Sequence, residues 1–319
     1  MNAVAKSLLI AIVLVTGAPP AWAQLSGHNF KGDFGLQSGS QAAPGFYLMP
    51  MYLRYDADTL RNRNGESIGI DPDRRGELDV NAYVLGAVYV TERKILGGNY
   101  GFLVFASLTD NRLEIPILQL ESGVDTGFTD LYLQPLNLGW HTSRADFTAG
   151  LGVFAPTGKY ELGGSDNLGL GMWSFEFFGG TTLYLDEKKS WHLATTAFYE
   201  THTRKKDTDV KVGDILTLEG GLGKSFLDGA VSVGVAYYAQ WKVTSDDFGL
   251  DFELPGGPVL GKHRVYGFGP ELTLPIASKE KLFALVNARY FWESGARTTV
   301  EGNTFLVSVT FPIPSIRLQ

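Results

Sequence analysis

Most of this sequence consists of long segments in which apolar and polar residues alternate with a period of two. From residue 45 onward about twelve such segments follow one another, each roughly 11 to 16 residues long. Strands of soluble proteins usually have about five or six residues, whereas crossing the hydrocarbon of a bilayer takes roughly 9 to 11. The segment lengths therefore favour a membrane-spanning sheet. The predicted strands cover residues 45–57, 78–91, 100–113, 128–141, 145–155, 170–185, 190–201, 214–225, 230–244, 264–277, 281–293 and 303–313.

The connections between these segments alternate in length. Long polar stretches such as RNRNGESIGIDPDRRGE, THTRKKDTDVKVG and SDDFGLDFELPGGPVLGKH take turns with short ones at residues 142–144, 186–189 and 278–280. Outer-membrane barrels have long external loops, short periplasmic turns and an even number of strands. The predicted fold class is therefore all-β: an antiparallel transmembrane β-barrel of about twelve strands over residues 45–319.

The two faces of the strands differ in polarity. In the last strand, Phe305, Val307, Val309 and Phe311 alternate with Thr304, Leu306, Ser308 and Thr310. We expect the apolar set to contact lipid and the other set to line a lumen. Tryptophans at both predicted strand ends fit the aromatic belts of two membrane interfaces. An aromatic core of a soluble β-protein is the alternative, but it does not account for the alternating connections.

The N-terminus predicts export. Residues 1–23 combine a basic start at Lys6, an apolar run, helix-breaking residues and the sequence Ala21-Trp22-Ala23. This is the pattern of a secretory signal peptide, with cleavage predicted after Ala23. The apolar run is too short for a transmembrane anchor of roughly 20 residues. We expect the bacterial outer membrane as the location.

Residues 24–44, QLSGHNFKGDFGLQSGSQAAP, are too rich in glycine and serine to predict a strand. The segment is either a periplasmic tail or a plug that folds into the lumen. The sequence does not decide between them, since it offers only Phe30, Phe34 and Leu36 as docking groups.

Charge and cysteine content exclude several partners and stabilising devices. The formal charge of -7 becomes -8 once the predicted signal peptide removes Lys6 and no acid. An acidic surface argues against nucleic acid as a partner. The chain has no cysteine, so the exported protein does not depend on disulfides.

Several charged side chains are predicted to point into the lumen. Glu176, Glu200 and Glu219 do so on three consecutive strands, near the long-loop ends. They predict an acidic field for cations or for a polar solute group, or else ordinary pairing with lysine and arginine. Glu271 and Arg289 lie on neighbouring strands at similar depth and predict a cross-strand salt bridge, with Glu293 above them.

Inward aromatic residues point to an apolar solute. Water-filled porins have a polar interior, whereas here the predicted inward positions include Phe154, Phe178, Phe198, Tyr238 and Phe291. An aromatic-lined lumen suits a hydrophobic or aromatic compound. The predicted lumen path consists of Glu176, Phe178, Phe198, Glu200, Glu219, Tyr238, Gln240, Glu271, Arg289, Phe291 and Glu293.

Pro135 interrupts a predicted strand in the stretch FTDLYLQPLNLGW. Proline gives no ladder hydrogen bond, so we expect a bulge or kink there. Our hypothesis is that the bulge weakens the pairing between this strand and a neighbouring strand, and so provides a lateral gate through which a solute can enter the bilayer. The alternative is a defect tolerated at a bulge, which Pro50 and Pro270 in other strands favour.

No catalytic, metal or cofactor site is predicted. The five histidines fall on different segments without the spacing of HExxH, and neither a GxSxG elbow nor a phosphate-binding loop occurs in the mature chain.

Several motifs resemble one family along nearly the whole mature chain, roughly residues 45–311. GFTDLYLQPLNLGW, GVFAPTGKYELGG, DILTLEGGLG, AYYAQWKVTSDD, VYGFGPEL and NARYFWESGARTTVEGNTFLVSVTF are similar to the outer-membrane proteins named for the meta-pathway of phenol degradation. The resemblance implies a barrel related to the long-chain fatty acid transporters, with a role in uptake of hydrophobic or aromatic compounds. It assigns as family signature Asp130, Pro135, Pro156, Gly158, Gln240, Asp246, Gly269, Pro270, Glu271, Arg289, Glu293 and Gly302.

The predicted function is passive uptake of small hydrophobic or aromatic compounds through a monomeric outer-membrane channel that is not an enzyme. The expected partners are the outer-membrane bilayer, the solute and, during biogenesis, the barrel-assembly machinery. The alternatives are an outer-membrane lipid-modifying enzyme and a structural or adhesive barrel without transport.

Overall fold

Alternating residues produce a sheet of long antiparallel strands. The computed structural model describes residues 25–67, 77–115, 120–162, 164, 166–226, 231–249, 262–278 and 282–313; the predicted signal peptide and its cleavage after Ala23 lie outside them. These residues form thirteen strands and a short 3-10 turn at Gly35–Gln37. The strands are β1 Gly45–Arg61, β2 Glu77–Ile95, β3 Gly98–Ile115, β4 Leu120–Phe128, β5 Leu131–His141, β6 Ala145–Ala155, β7 Ser174–Tyr184, β8 Trp191–His202, β9 Ile215–Phe226, β10 Val231–Lys242, β11 Arg264–Ala277, β12 Leu282–Arg297 and β13 Thr299–Ile313.

The sheet closes into a barrel. Strand β1 pairs with both β2 and β13, and from β5 to β13 each strand pairs with the next along the chain. Strands β4 and β5 both pair with β3, Phe128 opposite Leu108 and Tyr132 opposite Phe105. They therefore form one barrel strand with a break at residues 129–130. The prediction of a twelve-stranded antiparallel barrel is confirmed.

The sequence missed one part of the sheet and misplaced one turn. Strand β4, LESGVDTGF, has no regular apolar alternation and was not predicted. Strands β12 and β13 continue well past the predicted ends at 293 and 303, and only Thr298 separates them. Gly295 and Thr298 both have positive φ, which allows this tight turn.

The outward side chains of the strands form a lipid-facing belt. Val233 and Val235 of β10 are 45% and 55% exposed, whereas Ser232 and Tyr238 on the opposite face are 3% and 1% exposed. The tryptophans Trp173 and Trp292 lie exposed at the long-loop end and Trp191 at the short-turn end. The predicted inner and outer faces are confirmed, and exposed tryptophans lie at both ends of the barrel. Among the described residues, no helix is long and apolar enough to cross a membrane.

Candidate functional site

The predicted path residues all lie on the inner face of the barrel. None of the eleven is more than 9% exposed: Glu176, Phe178, Phe198, Glu200, Glu219, Tyr238, Gln240, Glu271, Arg289, Phe291 and Glu293. They come from β7 to β12, since alternate residues of each strand point inward. We call this side of the lumen the acidic half.

The segment of residues 25–44 runs along the lumen beside the acidic half. Near the short-turn end, the Ser40 hydroxyl donates to Asp146 Oδ2 at 2.9 Å. Near the long-loop end, Lys242 Nζ donates to the Leu25 carbonyl at 2.7 Å. The segment therefore reaches from one end of the barrel to the other.

Buried carboxylates accept hydrogen bonds from the backbone of this segment. Glu200 accepts from the His28 N–H at 2.8 Å, Glu219 from the Gly32 N–H at 2.8 Å, and Glu271 from the Leu36 N–H at 2.9 Å. A segment without strand neighbours has no ladder to satisfy these amides. The acids therefore satisfy the amides of the segment and fix its path along the wall.

Two further acids bind side chains of the segment. Asn29 Nδ2 donates to Glu176 Oε2 at 2.8 Å, and Lys31 Nζ lies 2.8 Å from Glu293 Oε1. Glu293 also accepts from the hydroxyl of Tyr238 at 2.7 Å. All five lumen glutamates thus contact the segment.

The aromatic residues of the acidic half pack against the same segment. The rings of Phe34 and Phe198 lie 5.2 Å apart, and Phe178 follows at 5.8 Å from Phe198. Leu36 lies in a buried cluster with Tyr238 and Phe291. The remaining predicted residue, Gln240, donates to the Thr217 hydroxyl at 3.0 Å.

Glycine is required where the segment approaches the wall most closely. Gly35 has φ of +59°, and a Cβ there would lie 2.0 Å from Glu271 Oε2. Gly32 has φ of +85°, and a Cβ there would lie 2.6 Å from the Phe291 ring. Any larger residue would have to push the segment off the acidic half.

The predicted Glu271–Arg289 salt bridge is confirmed. The two residues are directly opposite on β11 and β12, with Arg289 Nε 3.0 Å from Glu271 Oε2. Arg289 Nη1 also donates to the carbonyls of Gly32, at 2.9 Å, and Asp33. The guanidinium therefore joins the barrel wall to the segment.

Removing one partner of this buried pair should destabilise the barrel. We expect Arg289→Met to lower the free energy of unfolding by about 3 kcal/mol, because Glu271 is left buried without its counter-charge. The double variant Glu271→Met with Arg289→Met should recover most of the loss. Urea unfolding in lipid vesicles measures both. Equal stability of Arg289→Met and the native protein would contradict this assignment.

The remaining side of the lumen is an apolar wall, of which the sequence analysis identifies only Phe154. It meets the acidic half where the Tyr132 hydroxyl donates to Glu176 Oε1. Phe105, Tyr132 and Phe154 form a row with ring centres 6.0 and 4.3 Å apart, and the row continues to the His28 ring at 4.8 Å. The apolar wall consists of Met49, Met51, Val84, Val88, Leu103, Phe105, Tyr132 and Phe154. Its strands, β1 to β3, β5 and β6, carry no predicted path residue.

Comparison with known protein families assigns this barrel to one of them. A family profile described as the MetA-pathway of phenol degradation matches residues 57–309. The chain belongs to this family. Among the curated proteins, no sequence match is significant.

Solved structures share the barrel of this member of the phenol-degradation family. An outer-membrane channel from Pseudomonas putida F1 superimposes with a TM-score of 0.72 at 12% identity, covering 90% of this chain and 100% of that one. The β-domain of the Bordetella autotransporter BrkA gives 0.47 at 12% identity, with 85% and 100% covered. The CymD monoaromatic hydrocarbon channel gives 0.43 at 9% identity, with 86% and 90% covered. The first of these establishes a common fold.

Pro135 of this family member lies at a β-bulge. The register shifts beside it in both pairings, between Gly101 and Leu103 of β3 and between Leu133 and Leu136 of β5. Pro135 faces outward and is exposed, and its carbonyl accepts from the Tyr100 hydroxyl at 2.9 Å. The expected bulge is therefore present, with paired strands on both sides of it.

One polar cluster of the upper lumen has the composition of a serine hydrolase triad. The His28 ring lies between Ser174 Oγ, 2.7 Å from Nδ1, and Asp130 Oδ2, 2.8 Å from Nε2. However, Ser174 is fully buried, and its hydroxyl also lies 2.8 Å from His202 Nδ1. A hydroxyl enclosed by two imidazoles has no room to attack a carbonyl carbon.

Proposed function

We propose that this protein is a passive outer-membrane channel for small hydrophobic or aromatic compounds. The observation that carries the proposal is the apolar wall, because a porin for polar solutes has a polar, water-filled interior. A row of aromatic rings supports weak, sequential binding of flat apolar molecules. Phenolic compounds, after which the family is named, belong to this class.

We further propose that residues 25–44 act as a plug. Their contacts with the five lumen glutamates occupy the polar side of the barrel, which is where ions and sugars would otherwise pass. The proposed route of a solute follows the apolar wall and passes the point where His28 of the segment stacks on Phe154. The plug therefore selects for apolar solutes by removing the polar path.

Transport through a channel is better supported as the function than catalysis or adhesion. The only triad-like array among the described residues is enclosed, and diffusion down a gradient needs no catalytic group. A single chain closes the barrel through β1 and β13, so we propose a monomer. Folding into the outer membrane would require the barrel-assembly machinery.

Reconstitution in liposomes tests the proposal. The protein should accelerate equilibration of radiolabelled toluene across the vesicle wall, while its conductance in potassium chloride stays low. A barrel impermeable to toluene would overturn the channel. Equal permeability to toluene and to a disaccharide would overturn the selectivity.

Pro135 supports a lateral exit as the end of this route. The bulge lies in β5, three residues after Tyr132 of the apolar wall. Replacing Pro135 with valine should restore regular pairing and slow solute uptake by a few-fold. Uptake into whole cells measures this. Unchanged uptake with an intact barrel would exclude the gate and leave a periplasmic exit.

A further inference from the structure

Two histidines and a glutamate converge in the upper lumen although they are far apart in sequence. His28 belongs to the plug segment, whereas Glu200 and His202 end strand β8. His28 Nδ1 lies 3.5 Å and His202 Nδ1 3.6 Å from Glu200 Oε1, and the three atoms lie within 4.8 Å of one another. Their side chains are 6%, 1% and 0% exposed for His28, Glu200 and His202.

The two separations from Glu200 are too long for direct hydrogen bonds, and both Nδ1 atoms bond instead to the Ser174 hydroxyl, at 2.7 and 2.8 Å. Hydrogen bonds between nitrogen and oxygen cluster at about 2.7–3.2 Å. In a tetrahedral site with bonds of about 2.1 Å, by contrast, ligand atoms lie about 3.4 Å apart. Two imidazoles and one carboxylate are a frequent zinc ligand set. The Ser174 hydroxyl, which bridges the two rings, stands at the remaining side of the triangle.

Asp130 orients the imidazole ring of His28 and holds the proton on Nε2. Its Oδ2 lies 2.8 Å from His28 Nε2 and accepts the Nε2–H, which leaves Nδ1 beside the Ser174 hydroxyl, at 2.7 Å, on the side that faces Glu200. A metal-binding histidine typically donates its other N–H to a carboxylate in this way. Asp130 is itself oriented by the backbone N–H groups of Gly158 and Leu170, at 2.9 and 2.8 Å.

The charge balance also favours a dication. Asp130 and Glu200 are two buried carboxylates beside two imidazoles, while the nearby Lys242 ammonium is paired with Asp246 at 2.8 Å. A divalent ion would neutralise both carboxylates. The metal-free alternative is a His28 imidazolium between them, with the buried Lys205 ammonium as a further cation that interacts with Asp130.

We propose that His28, Glu200 and His202 form a zinc site that fastens the N-terminal segment to the barrel wall. The site joins residue 28 to β8 and so restrains the segment near the external mouth. The sequence analysis found no metal-ligand spacing because His28 reaches the other ligands only through the fold, 172 residues away from Glu200.

Metal binding to the folded protein tests the proposal. After treatment with EDTA, the detergent-solubilised protein should bind one zinc ion per chain by calorimetry and should not bind magnesium. His28→Gln and His202→Gln should each weaken zinc affinity by about 100-fold or more, since losing a ligand costs at least as much as losing an outer-shell partner. His141→Gln, an exposed histidine near the short turns, is the matched control and should bind zinc normally.

A second readout reports on the fastening and does not depend on solute transport. The chain has no cysteine, so Leu25→Cys provides a single thiol at the outer end of the segment. Removal of zinc should accelerate its reaction with a maleimide several-fold in the parent protein and not in His28→Gln. Heat-modifiable migration verifies that each variant folds. Absence of stoichiometric zinc binding overturns the site, and zinc-independent labelling overturns its fastening role, whatever the outcome of the toluene experiments.

Discussion

Deleting residues 25–43 of the mature protein should raise its conductance in potassium chloride by at least about tenfold, as expected when a plugged lumen becomes water-filled. The deletion removes at least one hydrogen-bond donor from each of the five lumen glutamates, so water and cations must take the place of the segment. Single-channel recording in planar bilayers measures the change. We also expect a preference for cations, because the exposed carboxylates focus a negative potential in the pore.

A synthetic peptide with the sequence of residues 25–43 provides the control for this deletion. Added to the deletion variant, it should restore low conductance. The matched peptide carrying Gly35→Val should fail to block, because a Cβ at this position would lie 2.0 Å from Glu271 Oε2 and the backbone has φ of +59°. Native-like conductance of the deletion variant would refute the plug.

Introducing a charge into the apolar wall should have the second largest effect. Phe105 is 5% exposed and packs beside Tyr132 in the aromatic row. We expect Phe105→Glu to reduce toluene uptake by at least about tenfold, because an apolar molecule would have to displace water from a buried carboxylate, which costs several kcal/mol. Uptake into proteoliposomes measures the rate.

An apolar substitution at the same position separates the effect of polarity on uptake from the effect of packing. Phe105→Leu keeps the wall apolar and should retain most of the uptake. Heat-modifiable migration should be unchanged in both variants. If Phe105→Glu transports toluene as fast as the native protein, the solute does not use the apolar wall.

Strand positions and faces could be predicted from the sequence because both follow from local alternation. The predicted spans 145–155 and 264–277 coincide with β6 and β11, and the inward positions of Glu271 and Arg289 correctly predicted their ion pair. Alternation fails where the sheet leaves the membrane. There β4 and the tips of β12 and β13 no longer need an apolar face, so the pattern disappears while the backbone pairing continues.

The arrangement of the lumen could not be predicted in the same way. Which acid binds which amide depends on the path of residues 25–44, a segment without periodicity. A usable signal was present in retrospect: five inward glutamates face only one inward arginine among the predicted path residues, and glycines recur in the N-terminal segment. Of the apolar wall the sequence analysis identifies only Phe154 on β6, because it does not assign Phe105 on β3 and Tyr132 on β5 to the lumen.

The pairing of β1 with β13 sets the order in which the molecule can be built. This pair joins the two ends of the chain, Phe46 opposite Ile313, so it forms after the strands between them have been made. Residues 25–44 immediately precede β1 and lie inside the finished barrel, so this segment enters the lumen either before the last seam forms or afterwards, from the short-turn end. A segment already in place when the seam forms would spare the cell a transient leak across its outer membrane.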